Sequence, residues 1–434
     1  MTTTADMTLG IATAVYPGAE PRLLGTAGRE DVQAYLARGG YAPLRDPEAL
    51  LGAVERAGLR GRGGAAFPFA RKVRAVRAGV AAPVLVANGE EGEPASVKDR
   101  WLMRHRPHLV LDGVRLAAAL VGAQDVYLYV SDAASAESLA EALAAFPAEG
   151  WNEIAIRIHR VEPAYVAGEE TAAVRSIEGG PALPQDKPPR PFESGVGGRP
   201  TLVSNVETLA NLPAVQRLGA DAYRALGTDD SPGTFLMTLS GTSRDGLYEI
   251  PFGTGLRDVL GWLGEDPGGV RGALVGGYFA GVMNERVLDL PLAYGAFAEA
   301  GSGLGCGGIA VIGDRGCPVA VAAAVMDYFA RENAGQCGSC FNGTSAMAAV
   351  LDALRDHRAV AADLERLRHW ATDLRGRGAC GTLDGATNVA ASLLREFPKQ
   401  VDGHLDGACG TCPEAAAALG DAPYAVVAHK EGET

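Results

Sequence analysis

The chain of 434 residues lacks any apolar run close to the about 18 residues that a membrane-spanning helix needs; its best candidate, Val319–Val325, is far too short. That excludes direct membrane insertion by a helix. It also lacks basic excess. Its 39 Lys and Arg against 52 Asp and Glu give a net charge of −13, which opposes binding to nucleic acid and to anionic membrane surfaces. The first residues have no basic segment followed by an apolar core, so no secretory signal is expected and a cytoplasmic enzyme is. Cysteine is scarce and odd in number: Cys306, Cys317, Cys337, Cys340, Cys380, Cys409 and Cys412. Five of the seven lie in the last hundred residues. Without an export signal, such clustering points to metal or redox chemistry rather than to structural disulfides.

What the chain has is glycine, 58 residues of it, and an apolar fraction of 47 %, enough for two or three cores at this length. The densest glycine segment is Gly58–Pro68, where Arg60 and Arg62 alternate with Gly61, Gly63 and Gly64, and Arg71 and Lys72 follow. Glycine lets a ligand approach the main chain, and bare N–H groups beside cations make a phosphate cradle. The segment is not a P-loop, because no Gly-Lys-Ser/Thr closes it, and it does not match Gly-x-Gly-x-x-Gly after a strand. A tight turn between helices explains it equally well when it is taken alone.

Three later segments add to it. The apolar run Pro83–Ala87 reads as a buried strand and ends in Asn88-Gly-Glu90-Glu91-Gly-Glu93. Polar, glycine-punctuated loops at strand ends are frequent ligand sites in α/β domains. Tyr165–Thr171 and Ser204–Thr208 each open a helix. Val126–Val130 reads as a second strand, and Leu109–Leu120 and Ala133–Ala145 as helices, so the pattern is α/β. The Gly- and Pro-rich stretch 179–200 cannot be regular, and a loop that long in a compact domain tends to be functional. Further on, Thr234–Leu239, Gly246–Pro251 and Val287–Leu290 look like strands around a helix Leu256–Leu263. After Pro318 the chain turns helical, with Val319–Glu332, Thr344–Arg355, Ala361–Leu374 and Thr387–Phe397 expected to form a four-helix bundle with its cysteines in the loops.

Taken together, Gly58–Pro68, Asn88–Arg100, Tyr165–Thr171, Lys187–Pro191, Val203–Thr208 and the cysteine region from Gln336 run in one order that resembles the flavin-bearing, NADH-oxidising subunit of respiratory complex I and its relatives in NAD-linked hydrogenases and formate dehydrogenases. The resemblance covers most of the chain from Asp31 to His404. It implies an FMN-binding α/β domain (31–232) after a loosely ordered N-terminus (1–30). A ubiquitin-like β-grasp insert (233–315), a helical iron–sulfur bundle (316–412) and a C-terminal tail (413–434) follow. The implied enzyme is an NAD(P)H dehydrogenase, cytoplasmic or peripheral to a membrane complex. It passes electrons from nicotinamide through FMN and a [4Fe–4S] cluster to an iron–sulfur protein, a ferredoxin or a two-iron partner subunit.

Carried over residue by residue, the resemblance puts Arg62, Gly63, Gly64 and Lys72 at the flavin phosphate. Asn88, Glu90 and Glu91 go to the ribityl chain and ring, with Tyr165, Gly168, Val203, Asn205 and Thr208 completing the pocket. Glu93, Glu169 and Glu170 would face the nicotinamide, Glu93 and Glu169 as the residues closest to the chemistry, with Phe67 and Lys187 toward the adenosine half. The flavin carries the reaction, so the protein needs only to orient two rings and exclude water. Where the family places aromatic residues for adenine, this chain has Ala75 and Arg190, and Arg190 can bind an extra phosphate.

The cluster site departs from the family pattern as well. Cys337, Cys340 and Cys380 match three expected ligands, but Ala334 stands where the first cysteine should be. Cys409-Gly-Thr-Cys412 could supply the missing ligand, or bind zinc, or form a redox disulfide; a three-iron cluster, a non-cysteine ligand and no cluster are the other options. Cys306 and Cys317 read as buried structural thiols. Two other readings stay open: a cluster-free diaphorase reducing quinones, and a non-catalytic docking subunit.

Overall fold

The computed structural model describes residues 11–25, 28–145, 154–407, 409–412, 416 and 419–426; parts of the stretches expected as a loose N-terminus and a C-terminal tail lie outside them. The chain divides into two compact units. One is made of residues 1–92, 97–237 and 247–253, the other of 93–96, 238–246 and 254–434.

The first unit is built on a four-stranded parallel sheet. A short strand, Ala12–Val15 (β1), lies outside this sheet; its members are Val84–Asn88 (β2), Asp125–Val130 (β3), Ala155–Arg160 (β4) and Thr201–Asn205 (β5), in the order β4-β3-β2-β5. β2 has no polar residue before Asn88, and Val84 to Ala87 are all fully buried, as a strand covered on both faces requires. β3 and β4 follow β2 to one side and β5 returns to the other. The strand order therefore reverses between β2 and β5, where Asn88 stands opposite Asn205 in register. Open α/β sheets bind ligands outside the carboxyl ends of their strands at such a point. Helix Pro107–Val121 is apolar around most of its circumference, is buried, and stops at Gly122, whose φ of +77° is left-handed. At Gly113 it crosses helix Val206–Ala210 so closely that a Cβ would stand 2.1 Å from the Leu209 carbonyl oxygen.

Thr234–Ser240 (β6) and Gly246–Pro251 (β7) carry the chain between the units. In the second unit, Val270–Val275 (β8) pairs antiparallel with Val282–Asn284 (β9) and with Gly308–Gly313 (β10), and β10 pairs parallel with the end of β6. Helix Leu256–Leu263 forms where expected, ending at left-handed Gly264. Val287–Leu290, expected as a strand, lies instead in a 3₁₀ turn, Glu285–Asp289. Asn284 caps that turn through the Arg286 N–H, and the consecutive residues Val287 and Leu288 are both buried, which an alternating strand cannot do.

Helices Pro318–Glu332, Gly338–Arg355, Ala361–Asp373 and Thr382–Glu396 follow, with a fifth, Pro398–Leu405, beyond the four expected. Pro318 and Pro398 occupy first helical turns, where a missing N–H costs nothing. Phe329, Met347, Leu351, Leu367 and Leu393 are fully buried in this helical region. No described helix is long and apolar enough to cross a membrane. A Gly113→Ala variant is expected to lose about 2 kcal/mol or more, because the added methyl meets backbone rather than a mobile side chain. Chemical denaturation of the purified protein measures it.

Candidate functional site

The glycine loop lies at the switch point. Arg62 donates its N–H to Thr208 Oγ1 at 2.8 Å, which ties the loop to helix Val206–Ala210 just after β5. A Cβ on Gly63 would meet Asn205 Cβ at 3.2 Å, whereas Gly64, with φ +115°, faces open space. A side chain at either position would fill or strain this cradle. The Arg62 side chain is turned inward: it is buried, approaches the Thr234 carbonyl at 3.3 Å, and its guanidinium lies 4.4 Å from the Phe252 ring centre.

The loop after β2 is locked to the turn Tyr165–Gly168. Asn88 Nδ2 donates to the Gly168 carbonyl at 2.8 Å, and a Cβ on Gly168 would stand 2.6 Å from Glu90 Oε2. Tyr129, one strand over, donates its hydroxyl to the Ala167 carbonyl. Glu90 accepts the Gly92 N–H through Oε2, while its Oε1 is buried without a hydrogen-bond partner among the described residues. Burial pushes its pKa up to about 8. An orphaned buried acceptor beside a glycine cradle fits a hydroxyl-bearing ligand such as the ribityl chain of FMN.

The other acids have structural partners. Glu91 accepts the N–H groups of Asp99 and Arg100 at 3.2 and 3.0 Å and so caps helix Lys98–His105. Glu169 caps helix Glu170–Ile177 through the Thr171 and Ala172 N–H groups and takes Lys187 Nζ at 2.6 Å on its other oxygen. Lys72 Nζ reaches Glu170 at 3.2 Å, and Arg190 stands 3.9 Å from it with its side chain 57 % exposed. Lys72, Glu169, Glu170, Lys187 and Arg190 thus form one patch of alternating charge. Phe67 is half exposed, with the Arg71 guanidinium 5.7 Å from its ring centre. Val203 belongs to the core with Val84, Val86 and Tyr129. Glu93 belongs to the second unit, where it accepts the Ala95 and Tyr278 N–H groups.

Composition alone did not single out Lys98, Asp99 and Glu207. Lys98 is buried, with Nζ 2.8 Å from Asp99 and 3.1 Å from Glu207. Burial opposes its charge, but Asp99, Glu207 and Glu91 outweigh that and hold its pKa above the usual value. Asn205 takes part too. It caps helix Val206–Ala210 through the Glu207 N–H and donates to Asp99 at 2.6 Å.

In the helical region, Cys337 stands at the N-cap of helix Gly338–Arg355 and Cys380 lies outside the helices, whereas Cys340, expected in a loop, lies inside the first turn. The Ala379 N–H donates to Cys337 Sγ at 3.4 Å, which brings the Cys380 loop to this helix start. Burial, then the nearby Cys380 and Cys337, push the Cys340 thiol up to about 12. Cys337, Cys340 and the Cys380 loop therefore meet at one helix start, where three thiols suit an iron–sulfur group. Cys409 and Cys412 do not complete this set: they group with Cys317 and His404. Cys317 is buried, as expected, but it is not an isolated thiol.

A glycine-lined cradle at the switch point of a parallel sheet and cysteines gathered at one helix start suit the class of oxidoreductases that bind a flavin and an iron–sulfur group. Residues 54–214 match the family model described as Nuo51 FMN-binding domain, and residues 320–404 match the NADH-ubiquinone oxidoreductase-F iron-sulfur binding region. The chain is 34 % identical to the second F-type subunit of NADH-quinone oxidoreductase of Rhizobium meliloti (strain 1021), over 86 % of this chain and 94 % of that relative. It is 32 % identical to the NADP-reducing hydrogenase subunit HndC of Solidesulfovibrio fructosivorans, over 93 % and 85 %. A crystal structure of NAD+-reducing [NiFe]-hydrogenase in the H2-reduced state superimposes with a TM-score of 0.74 at 34 % identity. The match covers 83 % of this chain and spans 63 % of the hydrogenase chain. The chain belongs to the family of F-type NADH-quinone oxidoreductase subunits. It is an NAD(P)H electron-transfer module with an FMN-binding domain and a 4Fe–4S-binding region.

The raised pKa of Glu90 has a thermodynamic consequence. The folded apo-protein holds this proton more tightly than the unfolded chain, so the contribution of Glu90 to stability declines as pH rises from the ordinary carboxyl range to about 8, then levels. Glu90→Gln is expected to remove that decline and to raise the Tm of the flavin-free protein at alkaline pH by several degrees. Thermal denaturation across the pH range measures it.

Proposed function

We propose that this chain oxidises a reduced nicotinamide dinucleotide at a flavin held between Gly63, Gly64, Asn88, Glu90 and Gly168, and delivers the electrons to an iron–sulfur protein of the ferredoxin or two-iron type. What supports this reading most is the buried Glu90 carboxyl beside the glycine cradle, drawn on by the Gly92 and Ala164 N–H groups yet with no well-formed hydrogen bond at Oε1 among the described residues. When bound, FMN supplies hydride acceptance at its ring nitrogen and release of electrons one at a time. The residues supply the rest. Glu90 orients the ribityl chain, Lys72 offers a cation to the phosphate, and the turn Tyr165–Gly168 closes one wall. The alternating patch of Glu169, Glu170 and Lys187 meets the dinucleotide, Glu169 keeps the nicotinamide role that the resemblance assigns, and Phe67 offers a ring for stacking. Cys337, Cys340 and Cys380 hold the cluster. The enzyme works in the cytoplasm or on the periphery of a membrane complex.

Arg190 gives this patch a guanidinium where the family carries an aromatic ring. We assign it to the 2′-phosphate of NADPH, because it is half exposed and Glu170 stands at the edge of ion-pair range. Arg190→Ala is expected to lower kcat/KM for NADPH about fivefold relative to NADH, since a charge-assisted contact is worth about 1 kcal/mol at an exposed site. An unchanged ratio would sink the assignment.

The function itself is tested by anaerobic titration of the purified protein with NADH and then NADPH, followed by absorbance from the near-ultraviolet to the red. Bleaching of the flavin band together with the broad iron–sulfur absorbance is expected. FMN-loaded protein that neither donor bleaches would overturn the reading. Flavin bleaching without an iron–sulfur contribution would leave a diaphorase.

A further inference from the structure

We propose that Cys317, His404, Cys409 and Cys412 bind one zinc ion in a closed tetrahedral site, separate from the Cys337, Cys340 and Cys380 set. The four residues come from three places in the chain. Cys317 precedes helix Pro318–Glu332, His404 lies in the last turn of helix Pro398–Leu405, and Cys409 and Cys412 form a C-x-x-C step just beyond it. Their ligand atoms all lie within 4.8 Å of one another. Cys317 Sγ is 3.2 Å from His404 Nε2, 3.4 Å from Cys412 Sγ and 4.0 Å from Cys409 Sγ.

These separations select the kind of metal group. Zinc–sulfur bonds of about 2.3 Å and zinc–nitrogen bonds of about 2.0 Å make a tetrahedron with edges of about 3.5–3.8 Å. The three separations from Cys317 Sγ, 3.2, 3.4 and 4.0 Å, bracket those edges, and the remaining ones stay within 4.8 Å. A cubane cluster attaches each ligand to a different iron, so its four ligand atoms stand well further apart than ligands on one ion. Three thiolates and one imidazole, with a C-x-x-C spacing, are also a zinc donor set, and four protein ligands leave no open position for catalysis. A disulfide would use two of the thiols and leave the imidazole and the third without purpose, and Cys317, Cys409 and Cys412 are not in a disulfide.

The histidine is prepared for the role. Its Nδ1 lies 3.1 Å from the Leu354 carbonyl, so the N–H is on Nδ1 and the Nε2 lone pair points toward Cys317. His357 stacks on the ring with centroids 4.8 Å apart, and fixes its plane further by pairing its own Nδ1 with the His404 carbonyl at 2.9 Å. Cys317, His404 and Cys412 are each no more than 2 % exposed. An ion here joins the start of the first helix of the region to the end of the last and to the segment that follows, which closes the helical region as a cross-link would. It requires neither flavin nor nicotinamide.

The experiment is elemental analysis of the full chain after dialysis against a chelator, with flavin and iron counted in the same sample. About one zinc per chain is expected, lost in Cys409→Ser/Cys412→Ser while flavin and iron stay at wild-type levels. Wild-type protein without zinc would overturn the proposal, as would iron lost from the double variant or a mass-mapped disulfide between Cys317 and Cys412. Should the variant not fold, growth of the wild type on cobalt replaces it. The intense visible bands of tetrahedral thiolate-bound cobalt support the site, and their absence rejects it.

Discussion

A lysine ammonium buried to 1 % exposure holds the flavin-side architecture together. Lys98 cannot be charged in that environment alone, and breaking a buried ion pair by removing one partner costs about 3–5 kcal/mol. Its partners are therefore obligatory, and each belongs to a different piece of the site. Asp99 opens helix Lys98–His105, and Glu207 opens helix Val206–Ala210. Asn205 ends β5 and bonds to Asp99, while Glu91 closes the loop after β2. One charge thus ties the end of β5 to the starts of two helices, and Glu91 holds the loop after β2 to the first of them. The glycine loop follows because Thr208, one residue past Glu207, holds the Arg62 N–H.

That arrangement divides the acids by task. Glu91 and Glu169 cap helices, Glu207 answers Lys98, and Glu170 is shared among cations. Glu90 alone of the group has a buried oxygen without a partner among the described residues. A loop dense in carboxylates, which in isolation suggests several ligand contacts, resolves into several positioning groups and one acceptor. The same economy governs the backbone: glycine stands where a Cβ would meet Glu90, Tyr165 or Asn205.

Much of this was legible in the chain. Period and run length located β2, β3 and the helices, because buried strands and amphipathic helices leave a local pattern. The ordered motifs also singled out the glycine loop, which the structure ties to the helix after β5, and the cysteines whose loops meet at one helix start. What escaped was non-local. Nothing around Val287 announces that Asn284 will cap a turn there. Nothing near His404 announces that it meets Cys317, 87 positions earlier. Lys98 reads as a surface residue until Glu207, distant in the chain, is brought to it beside the near neighbours Asp99 and Glu91.

Cys340 lies within the first turn of an 18-residue helix, with Cys337 as its cap and the Cys380 loop hydrogen-bonded to that same helix start. Thiols seated this way share the stiffness of the helix. A redox group held by them would change charge among atoms that hardly shift, which favours a small reorganisation energy. Rapid electron exchange would then depend on distance to the partner and driving force, not on rearrangement of the protein.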